Sequence, residues 1–235
     1  MRAIILAGGQ GTRLKPYTVV LPKPLMPIGE FPILEIIVRQ LASKKFTHIT
    51  LAVNHQADII KAYFQDGSRW GIKIDYSLEK KPLSTIAPLK LIEDLPENFL
   101  IMNGDILTDL DFYSFFLNHV NNNNNFSIAA SRRENRIDYG VLVTNDAGNL
   151  VGFEEKPTSS YLVSMGIYIC NKTIVDLIPE NIKFGFDDLM SLLLVQNNYP
   201  KIYHYYGYWL DIGRPDDYLK AIEEFNEMRT KFLNE

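Results

Sequence analysis

Over the first half of the chain, short apolar runs alternate with segments whose apolar residues recur at helical spacing. Residues 3–6, 49–53, 73–76 and 99–102 read as strands. Residues 33–43, with apolar side chains at 33, 34, 37, 38 and 41, read as a helix, as do 57–64 and 85–95. Parallel strands need a crossover long enough to hold a helix. The alternation therefore predicts an α/β fold: a Rossmann-like, mostly parallel mixed sheet flanked by helices on both faces. Ligands of such sheets bind beyond the carboxyl ends of the strands. Two glycine-bearing segments, 8–13 and Asn103-Gly104-Asp105, fall at those ends.

The pattern changes after the asparagine run 121–125, which reads as a loop. Residues 139–144, the turn Asn145-Asp146-Ala147-Gly148 and residues 150–153 form a strand, turn and strand, and 161–170 adds another strand. Pro215-Asp216-Asp217 is a helix start, followed by apolar Leu219, Ile222, Phe225, Met228 and Phe232. With no repeat or linker-like stretch, residues 1–235 read as one domain with a β-rich insertion.

The segment Gly8-Gly9-Gln10-Gly11-Thr12-Arg13-Leu14 follows the first strand, and Leu21-Pro22-Lys23-Pro24-Leu25 comes soon after. Glycines let backbone N–H groups approach phosphate oxygens, while Arg and Lys neutralise their charge. The glycines alone fit a tight turn equally well. The spacing is neither the G-x-G-x-x-G of dinucleotide folds, which also need an acidic ribose ligand, nor a Walker A loop.

The net charge of −4 gives no reason to expect nucleic acid or anionic membrane as a partner. An acidic chain that handles phosphates must concentrate positive charge locally, which singles out Arg13, Lys15, Lys23 and Lys156. Cys170 is the only cysteine and sits in a strand, so a buried, inert thiol is expected. His48, His55, His119 and His204 are scattered, without metal-ligand or triad spacing. No run approaches the ~18 apolar residues of a membrane span, and a cytoplasmic protein is expected.

Gly-Gly-x-Gly-Thr-Arg-Leu followed by Pro-Lys-Pro resembles the sugar-1-phosphate nucleotidyltransferases, the nucleoside-diphosphate-sugar pyrophosphorylases. Asn103-Gly104-Asp105, Glu154-Glu155-Lys156-Pro157, Ser164-Met165-Gly166-Ile167-Tyr168 and Trp209-Leu210-Asp211-Ile212-Gly213-Arg214-Pro215 extend the resemblance over nearly the whole chain. The compact mannose-1-phosphate and heptose-1-phosphate guanylyltransferases are the most similar members. The resemblance implies the nucleotide-diphospho-sugar transferase fold, with residues 1–120 as the nucleotide-binding half. Residues 121–235 would then form the sugar-binding half and C-terminal helix.

It also implies a reaction. A sugar 1-phosphate oxygen attacks the α-phosphorus of a nucleoside triphosphate, and pyrophosphate leaves. Arg13 and Lys23 would be catalytic, Arg13 on the β- and γ-phosphates and Lys23 on the α-phosphate or sugar phosphate. Leu6, Ala7, Gly8, Gly9, Gly11, Thr12, Ser84, Thr85, Asn103 and Gly104 would complete the nucleotide site. Tyr139, Gly140, Glu155, Lys156 and Gly166 would meet the sugar phosphate, and Asp105 and Asp211 would hold Mg2+. Each has a plainer reading: a solvated Lys23, a turn-capping Asp105, a helix-flanking Asp211. Asp187-Asp188 fits either a sugar contact or a helix cap, and Glu154 either a sugar contact or a solvated partner. The resemblance allows a homodimer.

Two segments depart from the family. In Pro82-Leu83-Ser84-Thr85-Ile86-Ala87-Pro88-Leu89, Ser84, Ile86 and Ala87 replace small residues that let the nucleobase lie against the backbone. Ser164-Met165 replaces Asn-Ala, so Met165 is expected to add bulk near the sugar ring. An active enzyme of unusual specificity is expected, with a guanine nucleotide slightly favoured over uridylyl or thymidylyl donors. The alternative is a catalytically inactive regulatory subunit that binds a nucleotide sugar.

Overall fold

The computed structural model describes residues 1–9, 11–54, 56–79 and 81–233; Gln10 and His55 lie outside them. In chain order come β1 (Arg2–Leu6), the two-residue strands β2 (Pro27–Ile28) and β3 (Phe31–Pro32), α1 (Ile33–Ser43), β4 (His48–Val53), α2 (Ala57–Phe64) and β5 (Lys73–Leu78). Next are β6 (Asn98–Asn103), β7 (Ile106–Thr108), α3 (Phe112–Asn121), β8 (Phe126–Arg136), β9 (Gly140–Thr144), β10 (Leu150–Glu155) and β11 (Thr158–Asn171). The chain closes with α4 (Phe186–Val195), β12 (Lys201–Tyr205), β13 (Trp209–Asp211) and α5 (Pro215–Leu233).

Seven strands form one sheet in the order β12-β8-β11-β6-β1-β4-β5. All neighbours in it are parallel except those of β11, which runs antiparallel to β6 and β8. The fold is thus the mixed, mostly parallel α/β sheet that the alternation predicts. Side chains of the central strands alternate between two cores. Ile5, Leu100, Met102, Ile167 and Ile169 face the helices α1, α2, α3 and α5. Ile4, Phe99, Ile101, Tyr168 and Cys170 face α4 and the 87–91 turn. Cys170 is fully buried, and burial pushes its thiol up, so it is an unreactive core residue. Among the described residues no helix is long and apolar enough to cross a membrane.

Two of the helices begin where a carboxylate accepts from backbone N–H groups. Asp111 accepts from Tyr113 and Ser114 at the start of α3, and Asp188 accepts from Gly185 at 2.7 Å at the start of α4. Asp188 therefore takes the capping role of its two readings.

The helix expected over 85–95 is only a 3-10 turn, Ala87–Leu91. Pro88 brings no donor, and the N–H groups of Ile86 and Ala87 both go to Phe184 O, at 3.2 and 3.0 Å. Helix α3 and the long strand β8 extend the structure beyond the sequence-based elements.

The outer halves of β8 and β11, paired from Arg136↔Thr158 to Arg132↔Leu162, leave the sheet as a two-stranded ribbon. The chain between them forms the β9–β10 hairpin, a separate two-stranded sheet.

Candidate active site

The carboxyl ends of β1, β4, β5 and β6 surround a cavity of about 390 Å³, a volume typical of small-molecule sites. Leu6, Gly8, Gly9, Ala52, Asn54, Glu79, Ser84, Thr85, Asn103 and Asp105 are among its lining residues. Its floor is backbone. Ala7 N–H donates to Ala52 O at 2.8 Å and Gly104 N–H to Leu6 O at 3.0 Å. A Cβ on Gly104 would lie 3.2 Å from Leu6 O and 3.5 Å from Ala7 Cα, so the crossing of the two strand ends is tightest with glycine there.

Gly11 turns the loop back at φ +60, and a Cβ there would meet Thr18 at 2.9 Å and the Lys23 Cβ at 3.2 Å. Thr18 donates its hydroxyl to Gly11 O at 2.6 Å, fixing that turn against the lysine segment. Thr12 and Arg13 follow in an exposed 3-10 turn. Lys23 lies between two prolines in another such turn and is buried.

Lys23 Nζ forms an ion pair with Asp105 Oδ2. The other oxygen of Asp105, Oδ1, is buried and has no hydrogen-bond partner among the described residues. Strand β13 brings the second carboxylate. Asp211 pairs with Ile106, and Ile212 N–H donates to Asp105 O at 3.1 Å. Desolvation raises the Asp211 carboxyl above its ordinary value and Asp105 raises it further, while Lys23 and Arg13 pull it down. Arg13 closes the cluster: a Cβ built on Gly213 would lie 3.6 Å from both Arg13 Nη1 and Asp211 Oδ2.

Two carboxylates, one with an unsatisfied oxygen, suit a hard cation that takes oxygen ligands. Among the described residues no three His, Cys, Asp or Glu gather to hold a metal. Ligand oxygens and water would therefore have to complete the coordination.

The residues expected on the sugar side separate into two groups. Gly166 lies beside the cavity at φ +72, where a Cβ would come within 2.6 Å of Asn103 Nδ2. It sits in the bulge of β11 between Ser164 and Tyr168, and Trp209 Nε1 donates to the neighbouring Met165 O at 3.0 Å. Tyr139, Gly140, Glu155 and Lys156 instead lie at the base of the hairpin and are exposed, with Gly140 paired to Glu155. Among the described residues no hydrogen bond or ion pair joins these four to Asp105 or Asp211.

Two sequence expectations fail. Ile86 is fully buried in the core against α4, and Met165 is buried in the other core, so neither side chain lines the cavity. Thr85 and Pro88, on either side of the Ile86-Ala87 pair, do reach it. Ser84 and Thr85 line the cavity, and Thr85 Oγ1 accepts from Phe186 N–H at 2.9 Å.

Sequence reasoning missed Glu79 and Asn54. Glu79 accepts from Leu83 N–H, and burial pushes its carboxyl up. Its Oε2 would lie 3.5 Å from a Cβ on Gly8. Asn54 donates its side-chain amide to Gly8 O. Each directly follows a strand of the parallel sheet, and that position was the available signal.

A mixed, mostly parallel α/β sheet thus carries a glycine loop, two cations and two acids at its carboxyl end. The family model described as nucleotidyl transferase matches residues 2–228, and the chain belongs to that family. It is 33% identical over 237 residues to a mannose-1-phosphate guanyltransferase of Yarrowia lipolytica, covering 94% of this chain and 63% of that one. It is equally 33% identical, over 246 residues, to a UTP–glucose-1-phosphate uridylyltransferase of Synechocystis, covering 94% of this chain and 62% of that one. The chain thus spans less than two thirds of the length of these relatives. The crystal structure of HddC from Yersinia pseudotuberculosis complexed with GMP-PN matches with a TM-score of 0.71 at 28% identity, covering 95% of this chain and 99% of HddC.

Proposed function

We propose that this chain transfers a nucleotidyl group from a nucleoside triphosphate to a sugar 1-phosphate. An oxygen of the sugar phosphate forms a bond to the α-phosphorus, the bond to the β-phosphate oxygen breaks, and pyrophosphate leaves. The observation that carries this reading is the Lys23–Asp105–Asp211 cluster, whose Asp105 lines the cavity together with Gly8 and Gly9. Two polyanions must be brought together, so the protein contributes positioning and charge neutralisation. Arg13 takes the β- and γ-phosphates, and Lys23 takes the α-phosphate. Lys156 holds the sugar phosphate, while Glu155 accepts hydrogen bonds from sugar hydroxyls. Asp105 and Asp211 would hold Mg2+, which when bound would neutralise phosphate charge.

A guanine nucleotide with a mannose- or heptose-type sugar is the preferred pair. Two findings support guanine. Several similar relatives are mannose-1-phosphate guanyltransferases, and one structure of HddC is complexed with GMP-PN. In the cavity itself, an ionised Glu79 is purely an acceptor. It suits the adjacent N1–H and N2–H donors of guanine better than uracil, whose single N–H lies between two carbonyls.

Pyrophosphate release with magnesium, measured for GTP, UTP, dTTP, CTP and ATP against a panel of sugar 1-phosphates, tests the reading. Release that requires GTP together with one sugar supports it in full. Release with another triphosphate keeps the reaction and removes the guanine assignment. Nucleotide-sugar binding without any release replaces it with the regulatory reading.

A further inference from the structure

Three arginines stand on the outer half of β8, and two of them have partners close by. Arg132 donates to Ser160 Oγ at 3.2 Å, and Arg136 pairs with Asp138 at 3.6 Å. The guanidinium of Arg133 has no hydrogen bond or ion pair among the described residues. It lies instead over the indole of Trp209, with Cζ 4.7 Å from the ring centroid.

Register explains the difference. Successive side chains of a strand point to opposite faces, so Arg132 and Arg133 lie on opposite sides of the ribbon. Arg132 shares its face with Ser160. Arg133 shares the other with its cross-strand partner, the exposed Tyr161, and that face is turned to β13.

The ring under Arg133 belongs to the same strand as a site carboxylate. Trp209 and Asp211 point to one face of β13, roughly 7 Å apart at ~3.3 Å per residue. Leu210 between them turns into the core. Trp209 Nε1 donates to Met165 O at 3.0 Å, which fixes the ring beside Gly166, the glycine pressed against the cavity-lining Asn103.

A cation–π contact orients a guanidinium and takes none of its N–H donors. The planar fork that remains matches a carboxylate or a phosphate with two parallel hydrogen bonds. Lys23 and Arg13 act on the Asp211 carboxyl and are the cations proposed for the reacting phosphates. Arg133 is held instead at Trp209, a step along β13 comparable with the width of a pyranose ring.

We infer that Arg133 is a specificity-determining residue that binds a second anionic group, a carboxylate or a phosphate, on the sugar whose 1-phosphate reacts. The inference rests on the nucleotidyl-transfer reading above.

Pyrophosphate release with mannose 1-phosphate, mannuronic acid 1-phosphate and mannose 1,6-bisphosphate tests it. Each sugar is titrated against the triphosphate that supports turnover. For wild type, KM is expected to be at least about tenfold lower for one of the two anionic sugars than for mannose 1-phosphate. Which of the two is favoured names the anion. Arg133→Gln is expected to bring that ratio to about one. Arg133→Lys, a point charge without the fork, should retain part of it. Arg132→Gln, on the opposite face, should keep the wild-type ratio. A general loss of stability or activity cancels in a ratio between sugars.

A wild type without the preference overturns the inference. So does a ratio that survives Arg133→Gln, including an equal loss for all three sugars, which would put the arginine on the 1-phosphate. A ratio lost in Arg132→Gln as well shows a diffuse charge effect and removes Arg133 as the reader.

The two readings fail separately. Turnover of mannose 1-phosphate with no gain from a second anion leaves the transfer reaction standing and ends only the role of Arg133. If no triphosphate gives release, calorimetric titration of the same three sugars decides. A preference for an anionic sugar that Arg133→Gln removes keeps the anion site without the reaction, and absence of binding overturns both.

Discussion

Lys23 and Asp105, 82 residues apart in sequence, form a part-buried ion pair at the carboxyl end of the sheet. One oxygen of Asp105 is thereby satisfied, and the other has no hydrogen-bond partner among the described residues. A carboxylate in this condition is held in place by one cation and still open to another. That combination suits a site built around phosphates.

Replacing Lys23 with Ala is expected to lower turnover by about two to three orders of magnitude, the scale for removing one preorganised charge-stabilising group. Pyrophosphate release by the folded variant measures it. Near-normal turnover would take Lys23 out of the mechanism.

Asp211→Asn should separate stability from activity. Desolvation and Asp105 raise the Asp211 carboxyl in the folded state. The folded protein therefore holds that proton more tightly than the unfolded chain, and the carboxylate costs stability once pH passes the unfolded value. The metal-free variant should thus melt higher than wild type near neutral pH. The gain should vanish below the ordinary aspartate range, and magnesium-dependent turnover should fall. A melting difference that does not change with pH would contradict the assigned strain.

Glu79→Gln tests base selection. Replacing an acceptor-only carboxylate by an amide should lower kcat/KM for GTP by about tenfold or more, since a mispaired buried polar group costs about 1–3 kcal/mol. The loss for UTP should be smaller. An unaltered nucleotide profile would show that Glu79 does not read the base.

Ile86→Ala should destabilise the fold by about 2–5 kcal/mol, as expected for truncating a fully buried side chain. The nucleotide profile should stay as in wild type. Denaturant unfolding and the triphosphate panel together decide it; a changed preference with normal stability would return Ile86 to the pocket wall.

The glycine loop and the first strands of the sheet were legible because local pattern governs both. Alternating apolar runs set the elements, and the carboxyl-end rule placed residues 8–13 beside Asn103-Gly104-Asp105. The direction of individual side chains was not legible. Ile86 and Ser84 are two residues apart, yet one is core and the other lines the cavity, because Phe184 captures the Ile86 N–H and turns the segment. Strand β8 was hidden for a different reason. Its outer half, Arg132-Arg133-Glu134-Asn135-Arg136, lies on the ribbon and is exposed on both faces, so it carries no alternation. Glu79 was overlooked because a single acid after a strand means little until a cavity forms beside it.

Strand β11 runs 14 residues, and its two ends live in different surroundings. From Met165 to Cys170 it is clamped in the core, while Thr158 to Leu162 stands in water. Gly166 marks the change, pressed against Asn103 where pairing with β8 is interrupted. Eight residues of extended chain separate it from Thr158, a lever of roughly 25 Å at ~3.3 Å per residue. A rotation of about 10° at this fulcrum would sweep the far end through roughly 4 Å. The exposed ribbon and the cavity-lining Asn103 thus meet on β11 at a single glycine.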